Sequence, residues 1–251
     1  MELQLYFTVL YLAGAVNILI ALVLIHNNVY YADYDVYRRS RSLVAVNYVI
    51  FAVGFFLHAY FSLRLTAPIA ASALSIAYFH SGGVLFGWSH ISLMRPDYMT
   101  RRVVVRDLLI LAVGLVCYAN VALHPQVFTL HISFLIFFAH ATYIAYNFYR
   151  TYYLVGRTME QRPADDVAWW TPEKKRTVLG RHHAFVIGCH LIIIFGLGSI
   201  AITAAFPHDI WPYTLLTAAG IAVFSYIFYA LVEYGAVIDS ATCATEDAAN
   251  E

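Results

Sequence analysis

Seven apolar stretches, at residues 5–25, 43–63, 70–94, 103–123, 127–149, 183–206 and 211–237, follow one another along the 251-residue chain. A bilayer's hydrocarbon core is about 30 Å thick, and a helix rising about 1.5 Å per residue needs about 20 apolar residues to cross it. Each stretch has that length. None alternates polar and apolar residues, as the strand of a membrane barrel must. The expected fold class is therefore all-α: a polytopic membrane bundle of seven transmembrane helices, forming one domain over 1–238. Composition removes the soluble alternative, because 61% of the residues are hydrophobic and 12% charged. Ordinary globular domains carry about 25% charged residues, so the apolar surplus here must face lipid.

The formal net charge is zero, yet the charges are segregated along the chain. Arg38, Arg39 and Arg41 stand between the first and second stretches. Arg95, Arg101, Arg102 and Arg106 stand around the third connection. Arg150, Arg157, Arg162, Lys174, Lys175, Arg176 and Arg181 fill the fifth, which is the longest. Fourteen of the fifteen Lys and Arg residues thus occupy alternate connections, and Arg64 alone lies on the other side. By the positive-inside rule these three connections are cytoplasmic, which predicts an outside N-terminus, a cytoplasmic C-terminus and residence in a cell inner membrane. Met1-Glu2-Leu3-Gln4 lacks a basic start and the run behind it exceeds the about 7–15 residues of a signal-peptide core, so a retained first helix is expected.

The opposite connections are only a few residues long, which forces their flanking helices to be antiparallel neighbours. No proline falls in mid-stretch, so the broken helices of many transporters are not foreshadowed. In the long basic connection, 147–154 is expected to prolong the fifth helix. Trp169 and Trp170 suit the headgroup layer, and Thr171-Pro172-Glu173 reads as a helix start leading into the sixth span. Lys174, Lys175 and Arg176 then offer contact with anionic lipid or with a cytoplasmic protein partner through the 150–182 loop. Residues 239–251 read as a small, acidic, disordered tail.

Polar side chains inside the stretches mark where a site would be. His58, His80, His90, His131, His140 and His190 all lie at membrane depth, where ionisable groups are costly and turn toward the bundle interior. With Trp88, the residues His58, His80, His140 and His190 are the interior or ligand-binding candidates. Gly83 and Gly87 form a small-xxx-small pair suited to close helix packing. Asn17, Asn47 and Asn120 are expected to bridge helices, and Glu233 to pair with an arginine of the basic end. A dihaem column is disfavoured, since His131 and His140 point about 180° apart on their helix. A single haem, or a metal ion on His80, His140 and His190, is the alternative reading, although zinc and iron sites want three or four converging ligands. Cys117, Cys189 and Cys243 form no metal or redox spacing. The seventh stretch has no lysine for a retinal Schiff base, and no catalytic constellation is evident.

At Tyr37-Arg38-Arg39-Ser40-Arg41, and again across Leu93-Met94-Arg95-Pro96-Asp97-Tyr98-Met99-Thr100-Arg101-Arg102, the chain resembles the seven-helix membrane region of some bacterial AraC-type regulators. The resemblance covers about the first four spans and implies a membrane sensor. It carries no functional residue across, and without a DNA-binding domain after the last span it implies no nucleic-acid partner. The expectation is an integral inner-membrane sensor or signalling module with a histidine-bearing interior. A haem- or metal-binding redox protein is its rival, and a small-solute transporter the third reading.

Overall fold

The computed structural model describes residues 2–156 and 172–250, with side chains described over 2–154 and 180–235. Among the described residues there is no strand, and seven helices are long and apolar enough to cross a membrane. In chain order the helices are α1 (Glu2–His26), α2 (Asp35–Tyr60), the single turn α3 (Leu63–Thr66), α4 (Pro68–Met94), α5 (Arg101–Leu123), α6 (Val127–Thr151), α7 (Pro172–Ala205) and α8 (Ile210–Asn250). The expected seven-helix bundle is the fold of this protein.

Helix α4 is the hub. It packs against α2, α5, α6 and α7, while α1 packs on α2 and α8, and α7 on α8. A helix with neighbours on nearly every side must offer them little steric resistance. Small side chains meet that need here: Ala71, Ser72, Ala73, Ser75, Gly82 and Ser89 are all buried. Gly87 shows the requirement most directly, because a Cβ there would stand 2.5 Å from Ile144 Cγ2 on α6. Gly83 behaves differently from its expected packing role. Nothing lies within 4 Å of where its Cβ would be, and it lines a cavity of about 70 Å³ instead.

Helix α5 lies at the edge of the bundle, and its outer face carries Leu109, Val113 and Val116 toward lipid. Its buried residues are Asp107, Gly114, Tyr118 and Val121. Those positions recur at helical spacing and form one stripe turned toward α4. Asp107 is the exception in an otherwise ordinary packing stripe.

Helix ends differ in detail from the sequence expectation. Helix α2 begins at Asp35, a full two turns before the apolar run, because Arg41 is buried by bonds to Leu24 O and Asn28 and by the Tyr31 ring. It stops at Tyr60, where Ser62 takes a left-handed φ of 50° to start α3. Helix α7 starts at Pro172, as the sequence anticipates, and α6 ends in a wide turn over Tyr152–Gly156. Trp169, Trp170 and Thr171 lie outside the described residues, as do the side chains of Lys174, Lys175 and Arg176. The backbone of α8 is helical as far as Asn250, where a disordered tail is expected. Alanines at 241, 244, 248 and 249 favour that continuation.

Among the described residues the asparagine bridges do not form. Asn17 bonds back to Ala13 O on its own helix, Asn120 is exposed, and both amide atoms of buried Asn47 lack a partner. Glu233 does find its arginine, Arg181, at 2.9 Å, and this pair joins α7 to α8 at the basic end.

Candidate functional site

Where α4, α5 and α6 meet, four proton-exchanging side chains stand in series. Tyr118 Oη lies 2.7 Å from His80 Nδ1, His80 Nε2 lies 2.8 Å from His140 Nδ1, and His140 Nε2 lies 3.4 Å from Asp107 Oδ1. All four side chains are buried. Helix α4 supplies the middle imidazole, α6 the second, and α5 both ends. Because Asp107 and Tyr118 are eleven residues apart on α5, the backbone positions of the two ends are about 17 Å apart along that helix. That is about half of the hydrocarbon core.

The carboxylate end is held by donors. Trp88 Nε1 donates to Asp107 Oδ2 at 2.8 Å, and Arg106 donates to Oδ1 through Nε at 2.8 Å and Nη2 at 2.7 Å. Arg106 in turn donates to Tyr143 Oη at 2.6 Å and lies over that ring. An ion buried in a low-dielectric interior costs several kcal/mol unless its lone pairs are filled by well-placed, preferably charged, donors. Here every hydrogen-bonding neighbour of Asp107 donates, and one is a cation that reaches the basic end of the bundle with its side chain 36% exposed.

With both imidazoles neutral, the bonding pattern sets the tautomers. An ionised carboxylate only accepts, so His140 carries its proton on Nε2 and presents Nδ1 as an acceptor. His80 then donates from Nε2 and accepts at Nδ1, and Tyr118 donates its hydroxyl. With both imidazoles neutral, all three bonds point from Tyr118 toward Asp107. A proton placed on Asp107 Oδ1, displacing the Arg106 bonds there, would make it a donor to His140 Nε2. His140 then donates from Nδ1 and His80 from its own Nδ1, so the whole series reverses. In the reversed state the Tyr118 proton must leave the line of bonds, and Tyr118 sits among apolar Ile76, Val121, Leu130, Phe137 and Ile200. In that reversed state a change at the basic end reaches the Tyr118 hydroxyl through three hydrogen bonds.

Gly114 is the space this arrangement needs. A Cβ at that position would lie 2.8 Å from His80 Nδ1 and 3.0 Å from Tyr118 Oη, in the middle of their hydrogen bond.

Among the sequence candidates, His80, His140 and Trp88 are brought together here. His190 is not. It donates from Nδ1 toward Val186 O at 2.7 Å and packs on Phe148, Tyr149 and Tyr152. The set His80, His140 and His190 thus does not converge, and the described residues hold no group of three His, Cys, Asp or Glu side chains able to grip a metal ion. The two imidazoles that do meet are too close to share one. Two nitrogens on a tetrahedral zinc at about 2.0–2.1 Å would stand about 3.3 Å apart, not 2.8 Å. Depth along the membrane was compatible with a shared centre, whereas rotation about the α7 axis was not.

His58 belongs to a second cluster at the opposite end. Its Nε2 meets Ser75 Oγ at 3.2 Å, and Ser75 and Ser72 surround the buried guanidinium of Arg64. His131 is exposed while His140 is buried, as their opposed directions on one helix require. His90 bonds through Nδ1 to Ser89 Oγ and Phe86 O and stacks on Phe185.

Sequence reasoning passed over Asp107, Tyr118, Tyr143 and Gly114, and read Arg106 only as part of a basic connection. The available signal was the α5 stripe at 107, 114, 118 and 121, one face of a helix whose other faces are apolar.

No family model, curated protein or solved structure matches this chain.

Proposed function

We propose that this integral membrane protein is a proton-responsive sensor module of a bacterial inner membrane. The element that reads proton availability is the series Asp107–His140–His80–Tyr118, and the carrying observation is that these four buried groups are hydrogen-bonded end to end across three helices. The alternation of basic connections supports placing the Asp107 end on the cytoplasmic side. Protonation of Asp107 weakens its hold on Arg106 and Trp88 and reverses the bonds that tie α5 to α4 and α6. Peripheral α5 is the helix freest to respond. The basic connection over 150–182 is the surface offered to a cytoplasmic partner, and the resemblance to the membrane region of AraC-type regulators agrees with a signalling role.

A sensor is favoured over a proton path because the series ends at Tyr118 inside an apolar layer. The test uses spin labels on cysteines placed at lipid-facing Leu109 and Leu135, which are 62% and 60% exposed, in protein whose own cysteines are replaced. In proteoliposomes the α5–α6 distance should change with pH in the parent protein and stay constant in Asp107→Asn. A response of parental size in both Asp107→Asn and His140→Gln would refute the assignment. Proton flux through the same vesicles should equal that of protein-free vesicles.

A further inference from the structure

A second site stands beside the basic end of the relay. Between the end of α4 and the end of α6 lies a cavity of about 260 Å³, lined by Arg95, Tyr98, Asn147, Arg150, Thr151 and Leu154. We propose that this cavity binds the phosphate headgroup of an anionic phospholipid.

The lining chemistry is that of a phosphate site. Two guanidiniums, a phenol, an amide and a threonine hydroxyl can all donate, and Arg presents a planar fork that matches phosphate oxygens. Arg150 makes no ion pair or hydrogen bond among the described residues, so its charge is free for a ligand. Arg95 is bound by exposed Asp97, with Nε–Oδ1 and Nη2–Oδ2 both at 3.2 Å. That pair is solvent-exposed and long, and such pairs are worth little, so a doubly contacted phosphate can displace it. Tyr98 and Thr151 are buried and form the floor, while Arg95 and Arg150 are exposed walls at the rim. Burial pushes the Tyr98 phenol up to about 12, so it stays a protonated donor throughout the physiological range.

Position selects a lipid over a soluble phosphate. The cavity opens where α4 and α6 leave their apolar runs, and Tyr153 and Leu154 stand beside it 60% and 65% exposed, as side chains facing acyl chains do. Basic pockets between membrane helices at the cytoplasmic face are suited to anionic headgroups. Tyr98 also lies near enough to Arg106, the counter-ion of Asp107, to feel its charge. A headgroup there would therefore adjust the relay, and that coupling, unlike the binding itself, rests on the function proposed above.

The experiment is native mass spectrometry of the whole protein in detergent, with phosphatidylglycerol or phosphatidylcholine of matched chains added. Parent protein should retain phosphatidylglycerol preferentially, and Arg95→Gln/Arg150→Gln should weaken that retention about tenfold or more, since each basic contact with anionic lipid is worth about 1 kcal/mol. Arg101→Gln/Arg102→Gln removes the same charge from the same end but outside the cavity, and should keep the preference. Equal retention of both lipids by the parent, or equal loss in the two double variants, would overturn the site. Protection of the parent by millimolar inorganic phosphate, with no preference for phosphatidylglycerol, would overturn the lipid assignment. Asp107→Asn should bind the lipid as the parent does while losing the proton response, which separates failure of the site from failure of the relay.

Discussion

The bundle buries two polar clusters, one toward each end, and they are built on opposite principles. At the basic end Asp107 faces a cation, Arg106, and behind it stand His140 and His80, groups that can both give and take protons. At the other end Arg64 is 2% exposed and no carboxylate lies within ion-pair distance among the described residues. Its Nη1 donates to Pro68 O, Pro207 O and Ser72 Oγ at 2.7–3.2 Å, and the guanidinium lies on the face of Tyr213, 3.2 Å from the ring centroid. Arg64 Nε, His58 Nδ1 and Ser199 Oγ are left without partners. The hydroxyls around it mostly donate to backbone carbonyls, such as Thr203 to Ser199 O and Tyr213 to Thr203 O. That cluster is a clamp of fixed dipoles joining α3 and α4 to the turn before α8. Under the function proposed above it is the first cluster, with its run of two imidazoles between a carboxylate and a phenol, that acts as the switch.

The largest expected effect that tests this contrast is Arg106→Ala against Arg64→Met. Removing Arg106 leaves a buried carboxylate uncompensated, which costs about 3–5 kcal/mol, toward the lower figure because Arg106 is partly exposed. The loss should shrink as pH falls and the carboxyl left without Arg106 takes up a proton, because the neutral acid needs no counter-charge. Arg64→Met should cost about 1–3 kcal/mol for the carbonyls and hydroxyls it leaves unpaired, with a weaker pH dependence than Arg106→Ala because no carboxylate faces it. Thermal unfolding in detergent reads both. Equal pH dependence in the two variants would erase the distinction.

Gly114→Ala comes next. Its methyl group would enter the His80–Tyr118 bond, costing about 1–3 kcal/mol through overpacking and abolishing the α5–α6 distance response. A smaller stability effect accompanies His140→Leu. Interhelical hydrogen bonds in membranes average about 0.6 kcal/mol with a maximum of about 1.7, so the variant should remain folded yet lose the whole pH response. Retained response with lost stability would invert the roles assigned here.

The smallest effect belongs to Asp97. The hydrogen bond from Arg95 holds its carboxyl below the ordinary carboxylate range. A depressed folded value means the contribution is present above the ordinary range and lost as pH falls through the lowered value. Carbon-detected titration of Asp97 should show that depression, diminished by high salt or by Arg95→Gln, with no change in the relay.

Much of this molecule can be read along the chain, and the reason is local. His80, His140 and Trp88 could be singled out because a polar group in a membrane-length run stands out against its neighbours. Asp107 did not stand out. It follows Arg106 directly, and an adjacent acid and base at the edge of a basic connection look like a solvated pair. The fold places that residue at 0% exposure, on the inward stripe of α5. Arg41 was likewise counted among the topological charges, yet it is buried. The Gly83–Gly87 motif divides, with Gly87 at a helix contact and Gly83 on a cavity.

Seven membrane-length helices and the segregation of basic connections follow from the sequence by itself, because lipid transfer energies and loop charges sum residue by residue without needing partners. Which histidines would meet was decided only in three dimensions. Helix rotation and tilt set azimuth, and that azimuth separates a 2.8 Å imidazole pair from His190 packed in a different aromatic cluster. The same tertiary choice made an inconspicuous Asp107 the anchor of the hydrogen-bonded series, since Trp88 of α4 and His140 of α6 close around it.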